Sequence, residues 1–276
     1  MLISEELLNR TGASKAANIP QEVILFLNQG KIASVNLTEW LAVNHRTLLE
    51  HVLPSIGLES EDIPFILLEV DRHNTVSGMQ AIRTIGSVLT QVMSGKSSKV
   101  QAEVILKCLN HVSDSVRCWA AFMHTEPNSS IQAKLQYIKP FAADRHFGVR
   151  EIAWMSIRED LAKDIDESVK WLAEWAASHD ENIRRFSVES IRPRGVWCKH
   201  IEVLKQEPQR ALPILHLLKS DPAKYVQDSV GNWLNDASKT QPEWVIALCE
   251  EWEQGAATKA TSRIVKKAKR TIAKGN

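Results

Sequence analysis

The sequence predicts an all-α protein, an α-solenoid of stacked antiparallel helix pairs with a concave binding face. Three observations support this fold class. Glycine and proline are scarce, at 11 and 10 of 276 residues, which argues against a loop-rich or disordered chain. Apolar residues recur at helical spacing along most of the chain. A short pattern also repeats four times after residue 114, as it does in proteins built from stacked helical units.

Each copy of the repeat has an aliphatic anchor, a basic or amide residue directly after it, and a small or aliphatic residue four positions on. The anchors are 33, 34 and 43 residues apart, a spacing typical of stacked helix pairs. Segments 165–177 and 242–252 fit the partner helices. The longest step contains Arg192-Pro-Arg-Gly-Val-Trp197, which must interrupt a helix. The anchors are Val116, Val149, Ile183 and Val226.

We expect one continuous domain over residues 1–276. Residues 1–100 form divergent N-terminal helices with a loop at 94–99, and residues 101–255 form the repeats. Residues 256–276 form a basic C-terminal helix, because no acid occurs from residue 254 onward whereas seven basic residues do. The outer face of this helix is either simply solvated or directed at phosphate or membrane.

Several classes of protein are excluded. The acidic start, Met1-Leu-Ile-Ser-Glu-Glu, is unlike a signal peptide, and no apolar run approaches the 18 or so residues of a membrane span. The four cysteines lack the spacing of a disulfide frame or zinc site. Dinucleotide, zinc-protease and serine-hydrolase motifs are missing, and Gly95-Lys-Ser97 is a plain turn, so no metal or cofactor is expected. We expect a monomer in the cytoplasm.

Positions +2, +6 and +9 from each anchor share one polar strip of a helix. Such a strip is ordinarily a solvated face with charge pairs between turns. Here Asn232, Asn235 and Asp236 crowd one helix despite their poor helix propensity. Trp197 follows three arginines, a combination suited to an anionic ligand with an aromatic or cationic part. The strip comprises Glu151, Met155, Arg158, Arg185, Glu189, Arg192, Asp228, Asn232 and Asn235.

Three segments, starting at Asp144, Arg184 and Tyr225, resemble the HEAT-like-repeat DNA glycosylases. The AlkC-type DNA alkylation repair enzymes are the closer branch, and the AlkD type is a relative. The resemblance implies that residues 101–255 are HEAT-like repeats of a bacterial protein that is associated with the nucleoid when bound to DNA. It further implies a DNA N-glycosylase that clasps duplex DNA and releases cationic N3- or N7-alkylated bases.

The resemblance also assigns candidate roles. Asp236 matches the acid of the family's L-N-D segment and Trp197 the tryptophan after R-P-R, and Glu189 lies on the polar strip; these three are the candidate catalytic residues. A carboxylate near the sugar stabilises positive charge and orients water, and an indole face attracts a cationic nucleotide. The candidate DNA-binding residues are Asp144, His146, Arg150, Arg184, Arg185, Arg192, Arg194, Asn232, Asn235 and Lys239.

Three positions depart from the family pattern. His146 stands where an acid precedes F-[AG]-[VI]-R, Gln227-Asp228 replaces two arginines, and Gly195-Val196 replaces Leu-Pro. Two alternatives therefore stay open. One is a non-catalytic solenoid that binds distorted or branched DNA. The other is a protein-binding solenoid scaffold, which a net charge of +1 allows.

Overall fold

All regular structure in the described part of the chain is helical. The computed structural model describes residues 3–123, 129–255 and 258–275, and within these ranges there is no β-strand. The predicted all-α class is therefore confirmed. None of the helices in these ranges has both the length and the apolar character needed to cross a membrane.

The α-helices of the described ranges are labelled α1 to α18 in chain order, and three short 3₁₀ helices lie between them at Ala16–Asn18, Leu53–Ser55 and Pro208–Ala211. The α-helices are Glu5–Leu8, Gln21–Asn28, Leu37–Ala42, His45–Val52, Asp62–Arg72, Gly78–Ser94, Ser98–Leu109, Asp114–Ala121, Ile131–Ala142, Phe147–Lys163, Ile165–Ala176, Glu181–Glu189, Glu202–Gln206, Leu212–Leu218, Lys224–Ala237, Pro242–Gln254, Lys259–Ala268 and Ile272–Gly275.

Short acidic side chains fix where two of the repeat helices begin. Asp164 accepts a hydrogen bond from the backbone N–H of Glu167 at 3.1 Å, at the start of α11. Asp180 accepts one from Asn182 at 2.8 Å, at the start of α12. The first N–H groups of a helix have no partner within it, so each carboxylate stabilises the helix it precedes.

The repeat pattern marks the core. All four anchors are buried, with 0–3% of each residue exposed, and so are the residues four positions on. Burying an aliphatic side chain of this size contributes about 1.5–3 kcal/mol. The predicted partner helices are α11 and α16, and the predicted break separates α12, which ends at Glu189, from α13, which begins at Glu202.

The chain folds into two compact units and passes from one to the other at three points, the last of which falls within α10. The first unit comprises Met1–Asn128 and Arg145–Ala153. In it α4 packs on α5, α5 on α6, and α8 on both α6 and α7. The indole N–H of buried Trp119 donates to Nδ1 of His45 at 3.0 Å. Complete burial lowers the pKa of His45 to about 3, so the imidazole is neutral.

The second unit comprises Ser129–Asp144 and Trp154–Asn276. Its helices pack as consecutive pairs, α11 with α12, α14 with α15, and α16 with α17. The second helices of these pairs also pack side by side, α12 against α15 and α15 against α17. This is the stacked arrangement that the repeat predicts for this part of the chain.

The basic C-terminal segment docks against α15. Gly231 permits a close approach, since a Cβ at that position would lie 2.8 Å from Cβ of Lys267. Asp228 accepts hydrogen bonds from Arg263 at 2.8 Å and from Lys267. The two residues that replace the family's arginine pair therefore lie at this contact, with Gln227 3.4 Å from the Arg263 guanidinium.

The segment forms two helices instead of the single one expected. The Asn235 amide donates to the carbonyl of Ala268 at 3.1 Å and to Oγ1 of Thr271 at 2.8 Å. Its carbonyl accepts from Nε of Arg270 at 2.7 Å. Because these bonds hold the chain just after α17, that helix ends at Ala268 and α18 begins at Ile272.

Candidate functional site

The second unit contains a buried ion cluster between α12 and α15, defined here as Arg185, Glu189, Arg192, Asp236 and Lys239. The predicted polar strip supplies three of its members, but contact between the two helices covers them instead of leaving them on an open face. Arg185 and Glu189 are only 6% and 5% exposed. With three cations and two carboxylates, the ion cluster carries a net charge of +1.

The two short hydrogen bonds of Asp236 are both made by one of its carboxylate oxygens, Oδ2. Arg192 donates to Oδ2 twice, from Nε at 2.9 Å and from one terminal nitrogen at 2.8 Å. Within the described residues Oδ1 meets only Nζ of Lys239, at 3.3 Å, and the Lys239 side chain is 40% exposed. A small displacement of that lysine would leave Oδ1 with an unoccupied acceptor position.

Glu189 lies on the other side of Arg192, 2.9 Å from its guanidinium and 3.7 Å from that of Arg185. Burial raises the pKa of Glu189, but the charges of Arg185 and Arg192 and a hydrogen bond from Ser229 outweigh it, and the pKa lies below its ordinary value. Glu189 is therefore ionised at neutral pH. It stabilises the arginine that holds Asp236.

Arg185 is an interior residue. Its Nε donates to Oγ of Ser229 at 3.2 Å, and its guanidinium lies 4.8 Å from the centre of the Tyr225 ring, a favourable cation–π arrangement. These contacts join α12 to α15 and fix the face of α12 that carries Glu189.

The segment 193–200, the Trp197 loop, leaves the ion cluster directly after Arg192. Its ends are joined by a hydrogen bond from the N–H of Ile201 to the carbonyl of Pro193 at 3.0 Å. Trp197 is 70% exposed and has a φ of 59°, a left-handed conformation that bulky residues rarely adopt. Such conformations persist where the surroundings impose them, and they concentrate at functional sites.

Trp197 and Asp236 belong to the same unit and are linked through Arg192. The Cα atoms of Arg192 and Trp197 are separated by five residues and hence by at most about 18 Å. The structure thus places an exposed indole on the loop that starts at the arginine holding the candidate acid.

The other predicted DNA-binding residues of this unit lie around the ion cluster or away from it. Arg184 bonds to Asp221 at 2.6 Å and to the carbonyls of Ser178 and His179, beside a cavity of about 470 Å³ that these residues line. Arg194, Asn232 and Asp144 are half-buried. Nε of Arg194 is buried without a hydrogen-bond partner among the described residues.

His146 and Arg150 belong to the first unit. His146 lies at the start of α10, where Nδ1 accepts from the N–H of Gly148 at 3.1 Å and Nε2 is 2.7 Å from the carbonyl of Ser34. Asp114 is fully buried, 3.5 Å from this imidazole. It accepts from both the N–H and the hydroxyl of Ser34, at 2.9 and 2.8 Å. His146 thus acts here as a helix cap.

Sequence reasoning missed two features. It placed Asp228 and Arg158 on the polar strip without finding their roles, which depend on contacts with helices and loops far along the chain. For Asp228 a signal existed, because Arg263 and Lys267 are one helical turn apart and Gly231 is the small residue that lets two helices approach. Among the described residues, no group of three or more potential metal ligands occurs.

Residues 151–271 match the family model described as DNA alkylation repair enzyme. The uncharacterized protein YhaZ of Bacillus subtilis is 35% identical over 137 residues, which is 50% of this chain and 37% of that protein. The chain therefore spans little more than a third of the length of this curated relative.

Two solved structures share the fold. The alkylpurine DNA glycosylase AlkC of Pseudomonas fluorescens, bound to DNA containing an abasic site analog, has a TM-score of 0.65 at 20% identity, over 95% of this chain and 66% of that one. AlkD2 from Streptococcus mutans has a TM-score of 0.56 at 18% identity, over 75% of this chain and 97% of its own. The resemblance predicted from sequence is thus confirmed: residues 151–271 match the DNA alkylation repair enzyme model, and the chain shares the fold of AlkC and AlkD2.

Proposed function

We propose that the protein is a DNA glycosylase that hydrolyses the N-glycosidic bond of cationic N3- or N7-alkylated bases in duplex DNA, with its site in the second unit. One observation carries the proposal. An exposed tryptophan in a left-handed conformation, Trp197, lies on the loop that begins at the arginine bonded to Asp236. The family match over residues 151–271 supports it.

The chemistry suits these side chains. An alkylated purine with a positive charge is already a good leaving group, so no strong general acid is needed. The remaining requirement is to stabilise the positive charge that develops on the deoxyribose and to position a water. Oδ1 of Asp236, held only by Lys239 at 3.3 Å within the described residues, is the oxygen available for this. The indole of Trp197 attracts the cationic nucleotide by about 0.5–2 kcal/mol.

Phosphates are the natural ligands of the basic side chains near the ion cluster. Lys239 is the most exposed cation of the cluster, and we expect a DNA phosphate to draw it away from Asp236. Lys239→Ala should then reduce the salt dependence of DNA binding by about one phosphate contact, a change of about 0.9 in the slope of log K against log salt. Fluorescence anisotropy at several salt concentrations measures it.

The experiment is base release from duplex DNA containing N7-methylguanine or N3-methyladenine, under single-turnover conditions. Wild-type protein should release the base, and Trp197→Ala should be slower by about tenfold, the equivalent of a cation–π contact. Trp171→Ala is the matched control, since Trp171 is a half-buried indole on α11 and should leave the rate unchanged. No release by pure wild-type protein, with a known alkylpurine glycosylase active in parallel, would refute the proposal.

The second candidate function is non-catalytic binding of distorted or branched DNA. The capping role of His146, where the family pattern has an acid, favours it. Gel shifts that show a preference for branched duplexes, together with no base release, would establish this function. Absence of DNA binding at low salt would leave a protein-binding scaffold.

A further inference from the structure

Arg158, on α10, contacts both ends of the Trp197 loop. Its guanidinium donates to the carbonyl of Ser190 at 2.8 Å, to that of Arg192 at 2.5 Å and to that of Lys199 at 3.3 Å. The first two carbonyls lie just after α12, which ends at Glu189, where the chain leaves the helix and its carbonyls lack helical partners. The third lies where the loop returns. One side chain therefore holds both ends of the loop that carries Trp197.

The backbone of the loop lies directly on this guanidinium. A Cβ at Gly195 would be 3.2 Å from Cζ of Arg158 and would overlap Sγ of Cys198. Only glycine lets the chain pass this close. The loop backbone at Gly195 is thus packed closely against both the Arg158 guanidinium and the Cys198 sulfur. This close packing explains how Trp197 is kept in a left-handed conformation.

Arg158 is buried at considerable cost. It is 3% exposed, and among the described residues no carboxylate lies within ion-pair distance of it. Burial lowers its pKa. The ring of Trp154, one turn earlier, has its centre 5.8 Å from Cζ of Arg158. A buried cation satisfied by carbonyls alone is a poor source of stability compared with an apolar side chain, which suggests that its value lies in the geometry it imposes.

We propose that Arg158 is the positioning residue of the Trp197 loop, fixing the indole where it meets the nucleotide. The part of this inference that concerns activity rests on the proposed function, whereas the part that concerns loop order does not. Lysine cannot replace the arginine, because its donors all lie on one nitrogen, whereas the contacts of Arg158 use Nε and both terminal nitrogens of the planar guanidinium.

The first test is hydrogen–deuterium exchange of Arg158→Lys, compared with wild type under conditions where both are folded. The amide of Ile201, which bonds to Pro193 across the base of the loop, should exchange about tenfold faster, as expected for loss of one or more buried hydrogen bonds. Amides of α15 should be unchanged. Arg117→Lys is the matched control, since Arg117 is a buried arginine that also donates to two backbone carbonyls, those of His111 and Val112. Unchanged exchange at Ile201 in folded Arg158→Lys would overturn the proposal.

A second variant tests the loop without touching the arginine. Gly195→Ala should accelerate exchange at Ile201, because the new Cβ overlaps the Cys198 sulfur, and adding Cys198→Ala should restore much of the protection. If Gly195→Ala leaves exchange at wild-type level, the close packing of the loop at Gly195, against Cys198 and the Arg158 guanidinium, does not order the loop and the proposal fails, even if Arg158→Lys cannot be purified folded.

The activity test uses coupling between two residues. In single-turnover base release, Arg158→Lys should lower the rate about as much as Trp197→Ala, and the double variant should be no slower than Trp197→Ala alone. A purely structural arginine would instead slow both backgrounds by the same factor. Absence of wild-type base release would refute the proposed function and leave the exchange result to decide the role of Arg158.

Discussion

The two units each bury a carboxylate, and they satisfy it in opposite ways. In the first unit, Asp114 is fully buried and accepts from the backbone and hydroxyl of Ser34, beside His146. In the second, Asp236 is 3% exposed and held by Arg192 and Lys239. Short neutral donors close the first site and join chain segments 80 residues apart. Long charged side chains surround the second and can be displaced by a charged ligand.

Burial alone therefore does not separate a structural acid from a candidate catalytic one. The two carboxylates differ in their hydrogen-bond partners and in the chain segments next to those partners. Asp114 holds a loop of the first unit to α8, and each of its two oxygens accepts a short hydrogen bond from Ser34. One oxygen of Asp236 has a single long contact, with Lys239. The arginine that holds the other oxygen, Arg192, directly precedes the loop that carries exposed, left-handed Trp197.

Removing each carboxylate should lower the free energy of unfolding, and the loss should be greater for Asp114 than for Asp236. Asp114→Ala leaves two donors of Ser34 without an acceptor and should cost about 3 kcal/mol of unfolding free energy. Asp236→Ala should cost only about 1.5 kcal/mol, because Arg192 keeps its bond to Glu189. Urea denaturation measures both. Equal costs would remove the distinction between the two sites.

The next effect is a difference in acid sensitivity. His45 is neutral and buried in the folded first unit, with a pKa of about 3, whereas an unfolded histidine titrates near 6.5. The unfolded state thus binds more protons below pH 6.5, and stability should fall by about 2 kcal/mol between pH 7 and pH 5 from this group. His45→Gln keeps an acceptor for Trp119 but does not titrate, so this variant should lose less stability than wild type between pH 7 and pH 5.

The second unit should lose stability at a lower pH than the first. The folded pKa of Glu189 is below its ordinary value, so its contribution is complete above the unfolded pKa near 4.3 and is lost only below it. Hydrogen exchange at pH 5, corrected for the intrinsic rate, should therefore show loss of protection in α4 and α8 before α12 and α15. Simultaneous loss would contradict the assignment of acid sensitivity to the first unit.

The smallest effect concerns the C-terminal contact. Asp228 pairs with both Arg263 and Lys267, and burial of the carboxylate, which raises its pKa, is outweighed by bonds to these cations. Asp228→Ala should loosen α17 by about 1 kcal/mol, since the pairs are partly exposed. Glu253→Ala, which removes an exposed pair with Lys269, is the control and should have little effect. Exchange of α17 amides measures both changes.

Much of the fold follows from local pattern. The anchors, the partner helices α11 and α16, and the break after Glu189 are set by apolar spacing, proline and glycine, all readable within one segment. What the sequence could not supply are contacts between segments. The carbonyls that accept hydrogen bonds from Arg158 are 32 to 41 residues away in the sequence. No feature of the sequence around the arginine predicts which carbonyls these are.

The candidate site was predicted in part for the same reason. Asp236 and Trp197 are identified by motif, and their link through Arg192 follows from folding that a motif does not encode. The helical strip was expected to be open, yet neighbouring helices cover Arg185, Glu189 and Asn235. Periodicity gives the face of a helix but not which faces a stack of helices buries.

We propose that Asp236, and not the still more deeply buried Asp114, is the acid that takes part in base release. Single-turnover release of N7-methylguanine from duplex DNA by Asp236→Asn and Asp114→Asn tests it most directly, with DNA affinity measured alongside. We expect the rate to fall about 100-fold or more for Asp236→Asn with DNA affinity retained, and to stay near the wild-type rate for folded Asp114→Asn. A wild-type rate for Asp236→Asn would contradict this proposal.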